Sequence, residues 1–526
     1  MQRRTVLRTI AGAVGIGVLA GCTGREGTGT DSPGGDSTAT RQPDPTGASS
    51  ETSFETERAT AGSESERSTT ATDDADDADD TDGTDEDETD RPETDASEGH
   101  GASWPALAHD AANTGAAFGA RGPGTGVEQR WAFDGVKVLT GATVADGSIY
   151  VGSGAGVHAL DAASGQERWT FETPASVTAQ PAVHDGTVYV ASSAPREGDL
   201  GPVTGPASLH ALAAGDGHEV WTSAVEAGEN PVSPSIAGGR VYVGTWGDGE
   251  ALVESGPSTP TPEGQGNGYV HAFGLDAGET VWTTALDNGV GTAPAAADGG
   301  VYVGMDTGVY HGLDATSGEM RWTFDAEGGD TNTLAPAVVD GTVYLARRDR
   351  EGGEILCRTY ALDAAEGSEQ WAFEMAGANL PGFAGSIAVA DGTVYTSCTG
   401  SRPPPTTTTE PTPSGTPGGT PEAVASMPVI YREGTLHAID AATGSERWRY
   451  TANGEASTGP SVAGDRIYIG WGRAVTAIDR AGGATQWTYE FDGRVDAPPA
   501  IVDGTVFMGR VGEGDLALNA YALGGV

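Results

Sequence analysis

Eight tryptophans stand at one recurring position along the chain: Trp131, Trp169, Trp221, Trp282, Trp322, Trp371, Trp448 and Trp487. Seven have a glycine four residues earlier, at Gly165, Gly217, Gly278, Gly318, Gly367, Gly444 and Gly483. The fullest copies run from His158 to Trp169 and from His437 to Trp448, each reading His-Ala-Leu/Ile-Asp-Ala-Ala-Ser/Thr-Gly before the second strand. A short strand, a glycine-bearing turn and a second strand make a hairpin. Upstream of each hairpin lies a Gly-x-Val-Tyr-Val-Gly type strand carrying Tyr150, Tyr189, Tyr242, Tyr302, Tyr344, Tyr395, Tyr468 or Phe507. A short stretch turned by Asp-Gly or a close substitute precedes it. Each unit therefore holds four strands, A to D, and four-stranded units repeating at about forty residues predict a β-propeller. The expected fold is all-β, with eight blades over residues 104–526.

The ends agree with that count. Trp131 belongs to a D strand, Val127 to Phe133, with no C strand before it, while the last unit stops after its C strand at Tyr521-Ala-Leu523. Docking the first strand into the last blade closes the ring and removes an exposed edge.

The motif [His/Tyr]-Ala-Leu-Asp-x-x-x-Gly-x-x-x-Trp resembles the repeat of PQQ-like eight-bladed propellers, the superfamily of quinoprotein dehydrogenases and of BamB-type envelope assembly lipoproteins. The resemblance covers roughly residues 104–526. It implies that the tryptophans pack between neighbouring blades, in keeping with the large area an indole buries. The segment opening at Trp104 and running through His109 and Asp110 resembles the lead-in to such propellers. For the dehydrogenases it implies PQQ and Ca²⁺ held by Glu, Asn and Asp from different blades, an Asp base, and in many an adjacent cysteine pair. The chain has no vicinal cysteines, and beyond Cys22 it has only Cys357 and Cys398. An oxidising exterior permits a disulfide between these two, although sequence does not give their separation.

Before the propeller come two further segments. In residues 1–22 the pair Arg3-Arg4 precedes a short apolar run, Ile10 to Ala20, which closes in Leu19-Ala20-Gly21-Cys22. Eleven residues are too few to span a bilayer, and the pattern is that of a twin-arginine export signal ending in a lipobox. Cys22 is the expected lipid attachment site, which places the protein outside the cytoplasm and anchored to the membrane. Each buried methylene of the lipid contributes about 0.8 kcal/mol. Residues 23–103 hold 24 acidic and 5 basic side chains among Gly, Ser, Thr and Pro. Too little apolar surface is available there to offset ordering entropy, so the segment reads as a disordered acidic stalk.

Charge excludes one class of partner. The chain has 75 acidic against 28 basic residues, a net charge of −47, and its one lysine is Lys137. Such a surface cannot neutralise phosphates, so no nucleic acid is expected. The balance resembles that of halophilic, and in particular haloarchaeal, proteins, where molar salt shortens the screening length to about 3 Å. Acidity is not confined to the stalk, because residues 104–526 alone hold 51 acidic and 20 basic side chains.

Length variation is concentrated in one kind of loop. From each repeat tryptophan to the next B-strand aromatic the interval stays between 19 and 24 residues, whereas B–C connections are expanded at 193–208, 246–268, 347–357, 399–430 and 510–519. Strands alternate direction, so all B–C loops emerge on one face, where a protein or cell-surface polymer is expected to bind a monomeric propeller. The same loops can equally be tolerated decoration. Trp246 and Trp471 fall outside the repeat, just after B strands near this face, and are candidate ligand-stacking aromatics. The C-strand histidines His158, His210, His271, His311 and His437 recur in different blades, which favours packing over a metal site. Asp161, Asp314, Asp363, Asp440 and Asp479 open the C–D turns as Asx-type acceptors. No Gly-x-Ser-x-Gly, Walker loop or His-Glu-x-x-His is present. The residues read as a non-catalytic binding or scaffold protein with no cofactor; the alternative is a PQQ/Ca²⁺-dependent sugar or alcohol dehydrogenase.

Overall fold

Strands A to C of each unit are nearly continuous runs of small and branched apolar residues, and such runs need cover on both faces. In the computed structural model they obtain it by stacking as eight radial sheets. The structure describes residues 103–525 except 118, 125, 134–135, 198–202, 248–267, 326–328, 352–353, 376–381, 384–385, 403–430 and 512–517. The signal, the lipobox with Cys22 and the stalk lie outside the described residues.

Blade 1 shows the pattern. Its strands are Thr143–Ala145, Ser148–Ser153, Gly156–Asp161 and Glu167–Glu172, paired antiparallel in that order. Strands B and C are buried almost throughout, whereas in strand D only Trp169 is buried. The outer strand alternates because one face meets the next blade and the other meets water. Asp-Gly pairs turn A into B in six blades, with Asp φ of 45 to 52° followed by Gly φ of 65 to 73°. Two successive left-handed residues make the type I′ turn that matches the twist of a two-strand ribbon.

The repeat tryptophans join one blade to the next. Seven of the eight indole Nε1–H groups donate to a carbonyl in the C–D turn of the following blade, from Trp131 to Ala162, Trp169 to Ala214, and so on round the ring, at 2.8 to 3.1 Å. The turn glycine lies flat on the same ring. A Cβ at Gly165, Gly217, Gly278, Gly318, Gly367, Gly444 or Gly483 would sit 2.4 to 2.8 Å from the preceding blade's indole or a neighbouring atom on its strand, and all seven have φ between 68 and 75°. Behind each indole stands a B-strand Tyr or Phe, with ring centroids 5.7 to 6.1 Å apart.

The ring closes as the sequence leads one to expect. Val127–Phe133 pairs antiparallel with Leu518–Gly525, register Val127 with Gly525 through Phe133 with Ala520. Blade 8 thus lacks a covalent C–D turn, and the indole of Trp487 would have no acceptor there. Pro123, on the way into the first D strand, supplies its carbonyl instead, at 3.3 Å.

The segment from Trp104 to Arg121 fills the axis. The central residue of six A strands, Val144, Val183, Ala296, Val338, Val389 and Val462, donates its N–H to carbonyls of Trp104, Pro105, Ala111, Ala112, Thr114 and Gly115 in turn, at 2.7 to 2.9 Å. The hydroxyl of Ser235 reaches the Ala111 carbonyl from blade 3, and the Gly504 N–H reaches that of Arg121 from blade 8. All eight blades therefore touch one stretch of chain. Gly115 is needed within it, since its φ is 63° and an added Cβ would lie 2.9 Å from Ala388.

Gly367→Ala should destabilise the protein by roughly 2 to 4 kcal/mol, combining left-handed strain with overpacking against Trp322. Gly186→Ala, with φ of 72° and nothing within 4 Å of its Cβ, should cost about 1 to 2 kcal/mol from strain alone. Denaturant unfolding in molar salt measures both, and equal losses would refute the glycine–indole contact. Removal of residues 104–121 should speed amide exchange most at the six A-strand N–H groups named above. Unchanged protection there would refute their pairing with the axial segment.

Candidate functional site

The candidate binding face is built by B–C hairpins of unequal length. Blade 1 uses six-residue B and C strands, whereas blade 5 uses Thr342–Glu351 with Glu354–Asp363 and blade 6 uses Thr393–Arg402 with Tyr431–Asp440. Four extra residues at about 3.3 Å each carry these two hairpins roughly 13 Å further. The insertions at 347–357 and 399–430 are therefore strand extensions at their roots; the tip at 403–430 lies outside the described residues, as do most of 246–268 and 510–519.

A buried ionic cluster supports the blade 5 hairpin. Arg347 and Arg358 are directly opposite one another, a repulsive pairing unless an anion intervenes. Asp349 provides it: its Oδ1 is 2.7 Å from Arg347 Nε, its Oδ2 is 3.6 Å from Arg358 Nη1, and the Tyr360 hydroxyl donates to it at 2.5 Å. Arg347 and Asp349 are fully buried. Breaking such a group by removing one partner costs roughly 3 to 5 kcal/mol. Desolvation, then the hydrogen bond to Asp349, raise the Tyr360 hydroxyl well above its ordinary range.

Between blades 2 and 3 the same face has a groove of about 530 Å³, walled by Val203, Pro206 and Tyr269. Glu229 lies at its edge, nearly inaccessible and paired with Arg196. The insertion at 193–208 shapes this wall by folding back on itself, with a bridge from Arg196 to Val203. Trp246 pairs with Asn230 beside the groove and is 38% exposed. Gly289 lets its stem approach the Asp306 carboxyl, which burial pushes up. An exposed indole next to a carboxyl suits a sugar or a peptide.

Trp471 is a correction. It is 5% exposed, its ring lies against Gly434, where a Cβ would come within 2.5 Å, and it packs on Tyr450 at 5.8 Å. Gly434 leaves a hole in the sheet that this indole fills, so it presents no stacking surface.

The repeated histidines each have a partner in their own blade. Nδ1 of His158 and His437 meets Glu167 and Glu446 at 2.9 and 2.8 Å, that of His210 is 3.4 Å from Glu219, and those of His271 and His311 meet Thr283 and Thr323. Burial depresses His271 to about 4 and also lowers His210 and His311. The turn aspartates Asp161, Asp314, Asp363, Asp440 and Asp479 each accept N–H groups two or three residues on. Asp161 and Asp440 are held at about 2, first by Arg168 and Arg447 respectively.

A bound PQQ with Ca²⁺ would ask for carboxylate and amide donors converging from several blades. Among the described residues no three His, Cys, Asp or Glu side chains gather in a metal-holding arrangement. Three polar residues leading into A strands are already engaged: Thr140 and Thr458 accept the N–H groups of Gly152 and Gly470, and Gln180 donates to Ala142 and Thr143.

Sequence reasoning missed the axial segment and the buried cluster. The first has a signal, a non-repeating stretch rich in Ala106, Ala108, Ala111, Ala112, Ala116 and Ala117. The second has Arg-Arg-Asp at 347–349 inside an otherwise apolar strand.

Comparison with known proteins agrees with this architecture. The chain is 28% identical over 243 residues to the outer membrane protein assembly factor BamB of Moranella endobia, covering 44% of this chain and 53% of that protein. It is 29% identical over 228 residues to that of Yersinia pestis, covering 40% and 48%. The chain thus spans about half the length of these relatives. A quinohemoprotein alcohol dehydrogenase from Pseudomonas putida superposes with a TM-score of 0.55 at 15% identity, over 80% of each chain, which is a likeness of fold. The family model described as outer membrane protein assembly factor BamB matches residues 111–253, 266–402 and 418–521, and with most of the propeller so covered the chain belongs to this family of PQQ-like repeat propellers.

Proposed function

We propose that the protein is a non-catalytic scaffold, held outside the cytoplasm by lipid on Cys22, that binds a protein or surface polymer through its B–C face. The observation that carries this reading is the pair of hairpins in blades 5 and 6, whose strands run four residues beyond those of blade 1, one of them rooted in a buried Arg–Asp–Arg cluster. Random insertion into loops does not require such a root. Trp246 and the groove beside Tyr269 extend the same face toward blade 2. The relatives named as assembly factors support a scaffold role; their outer-membrane setting is not transferred, since composition points to a halophilic source. The arginine pair Arg3-Arg4 and the acidic stalk fit export of a folded domain on a tether.

The dehydrogenase reading remains the competitor to be tested, because the fold is shared with quinoprotein enzymes. Retention of envelope components on the immobilised full chain should fall at least tenfold when residues 403–430 are replaced by a short turn and Trp246 is changed to Ala. Addition of PQQ and Ca²⁺ in molar salt should give no dye reduction with sugars or alcohols. Turnover, or retention indifferent to both changes, would overturn the proposal. Separately, Cys22→Ser should release the protein into the medium, and continued membrane retention would rule out the lipid anchor.

A further inference from the structure

Cys357 and Cys398 are the only cysteines of the propeller, and both are free thiols, 0% and 1% exposed. They belong to different blades. Cys357 lies on the C strand of blade 5 and Cys398 on the B strand of blade 6, yet both fall in one apolar cluster with Leu334, Met375 and Ile387. Across that interface the two thiols share one buried cluster, and each is the first influence on the other's titration.

Their positions along the strands matter. Cys357 is opposite Arg348 and Cys398 opposite Thr435, each where a ten-residue hairpin leaves the ring. His437 completes the group. It is opposite Thr396, two residues from Cys398 and on the same face of the sheet, and it helps to lower the Cys398 thiol. Glu446 holds its Nδ1 at 2.8 Å, which leaves Nε2 for the thiol. Cys398, and then burial, push the Cys357 thiol up; Cys357, together with His437, brings Cys398 down against burial. A nucleophilic sulfur, a neighbouring base and a second sulfur in contact are the parts thiol–disulfide exchange needs.

We propose that Cys357 and Cys398 form an inter-blade cross-link site, oxidised to a disulfide by exchange with a small-molecule disulfide and so tying the two projecting hairpins together at their roots. In the first step His437 Nε2 accepts the Cys398 proton and the thiolate attacks one sulfur of the oxidant, expelling one thiol. In the second, Cys357 attacks the Cys398 sulfur of the mixed disulfide and its proton leaves with the second thiol. Two electrons and two protons pass to the oxidant. Because both sulfurs are buried, exchange runs through local parting of blades 5 and 6 and is slow at room temperature. The bond encloses a loop from blade 5 strand C to blade 6 strand B, so it restricts the unfolded chain and resists separation of those blades.

The test uses the full chain carrying Cys22→Ser, in molar salt, incubated with oxidised glutathione a few degrees below its melting temperature. Thiol titration after unfolding should fall from two per chain to none, and non-reducing peptide mapping should find the Cys357 peptide joined to the Cys398 peptide. The melting temperature should rise by a few degrees and return when reductant is added. Cys357→Ala and Cys398→Ala, each retaining one thiol, should show no such rise. Persistence of two thiols, or glutathione adducts as the final product, would overturn the proposal, as would a rise in melting temperature of equal size in either alanine variant.

Discussion

A tryptophan that donates to the turn of the next blade sets the spacing of the ring. Its N–H needs a carbonyl 2.8 to 3.3 Å away, its face needs a turn with no side chain, and its back needs an aromatic ring about 6 Å distant. All three partners come from conserved spacings within the repeat, so each blade carries both a donor for one neighbour and an acceptor for the other. A buried indole without its acceptor would forfeit roughly 1 to 3 kcal/mol. Eight such contacts in series allow little variation in blade-to-blade distance, which is why insertions are confined to the B–C connections.

A ring of this kind has to solve the problem of its seam, and one stretch of chain, residues 104–133, solves three parts of it. It gives blade 8 its outer strand, gives Trp487 the Pro123 carbonyl that a C–D turn would have supplied, and answers the inward N–H groups of the A strands. The third part follows from geometry. Innermost strands have one edge with no partner, and unpaired backbone groups there must find water or chain. A segment passing along the axis offers successive carbonyls to successive blades, and small residues fit where it runs closest to them, as Gly115 does against Ala388.

The parts of the architecture written as periodicity could be read directly: the eight Trp–Gly spacings, the B-strand aromatics, the Asp-Gly turns and the complementary ends. Trp246 was also legible, because it follows a B strand beside an insertion. Trp471 has the same local sequence position, but its environment depends on Gly434 in the preceding blade, and no pattern within its own repeat records that hole. The axial segment escaped for a related reason, since it is used once and pairs with residues as distant in sequence as Gly504 is from Arg121. The cysteines show the limit of spacing most plainly: 41 residues apart in sequence, they meet only because strand C of one blade faces strand B of the next.

Charge placement links the fold to its surroundings. Outside the long hairpins of blades 5 and 6 and the aspartates that end C strands, strands A to C are sandwiched and carry few carboxylates, so most of the 51 in residues 104–526 are left to turns, loops and the outward positions of D strands, as at Glu167, Glu172, Glu369, Glu374 and Glu490. Carboxylates on an outer strand discourage another strand from adding to it. The same residues make the rim repel itself, a cost that falls as salt shortens the screening length. The side chains that protect the edge are thus the ones whose mutual repulsion salt relieves. In molar salt long-range attraction would contribute little, so a partner at the proposed B–C face would depend on contacts at van der Waals and hydrogen-bond range, the kind that an exposed indole such as Trp246 can make.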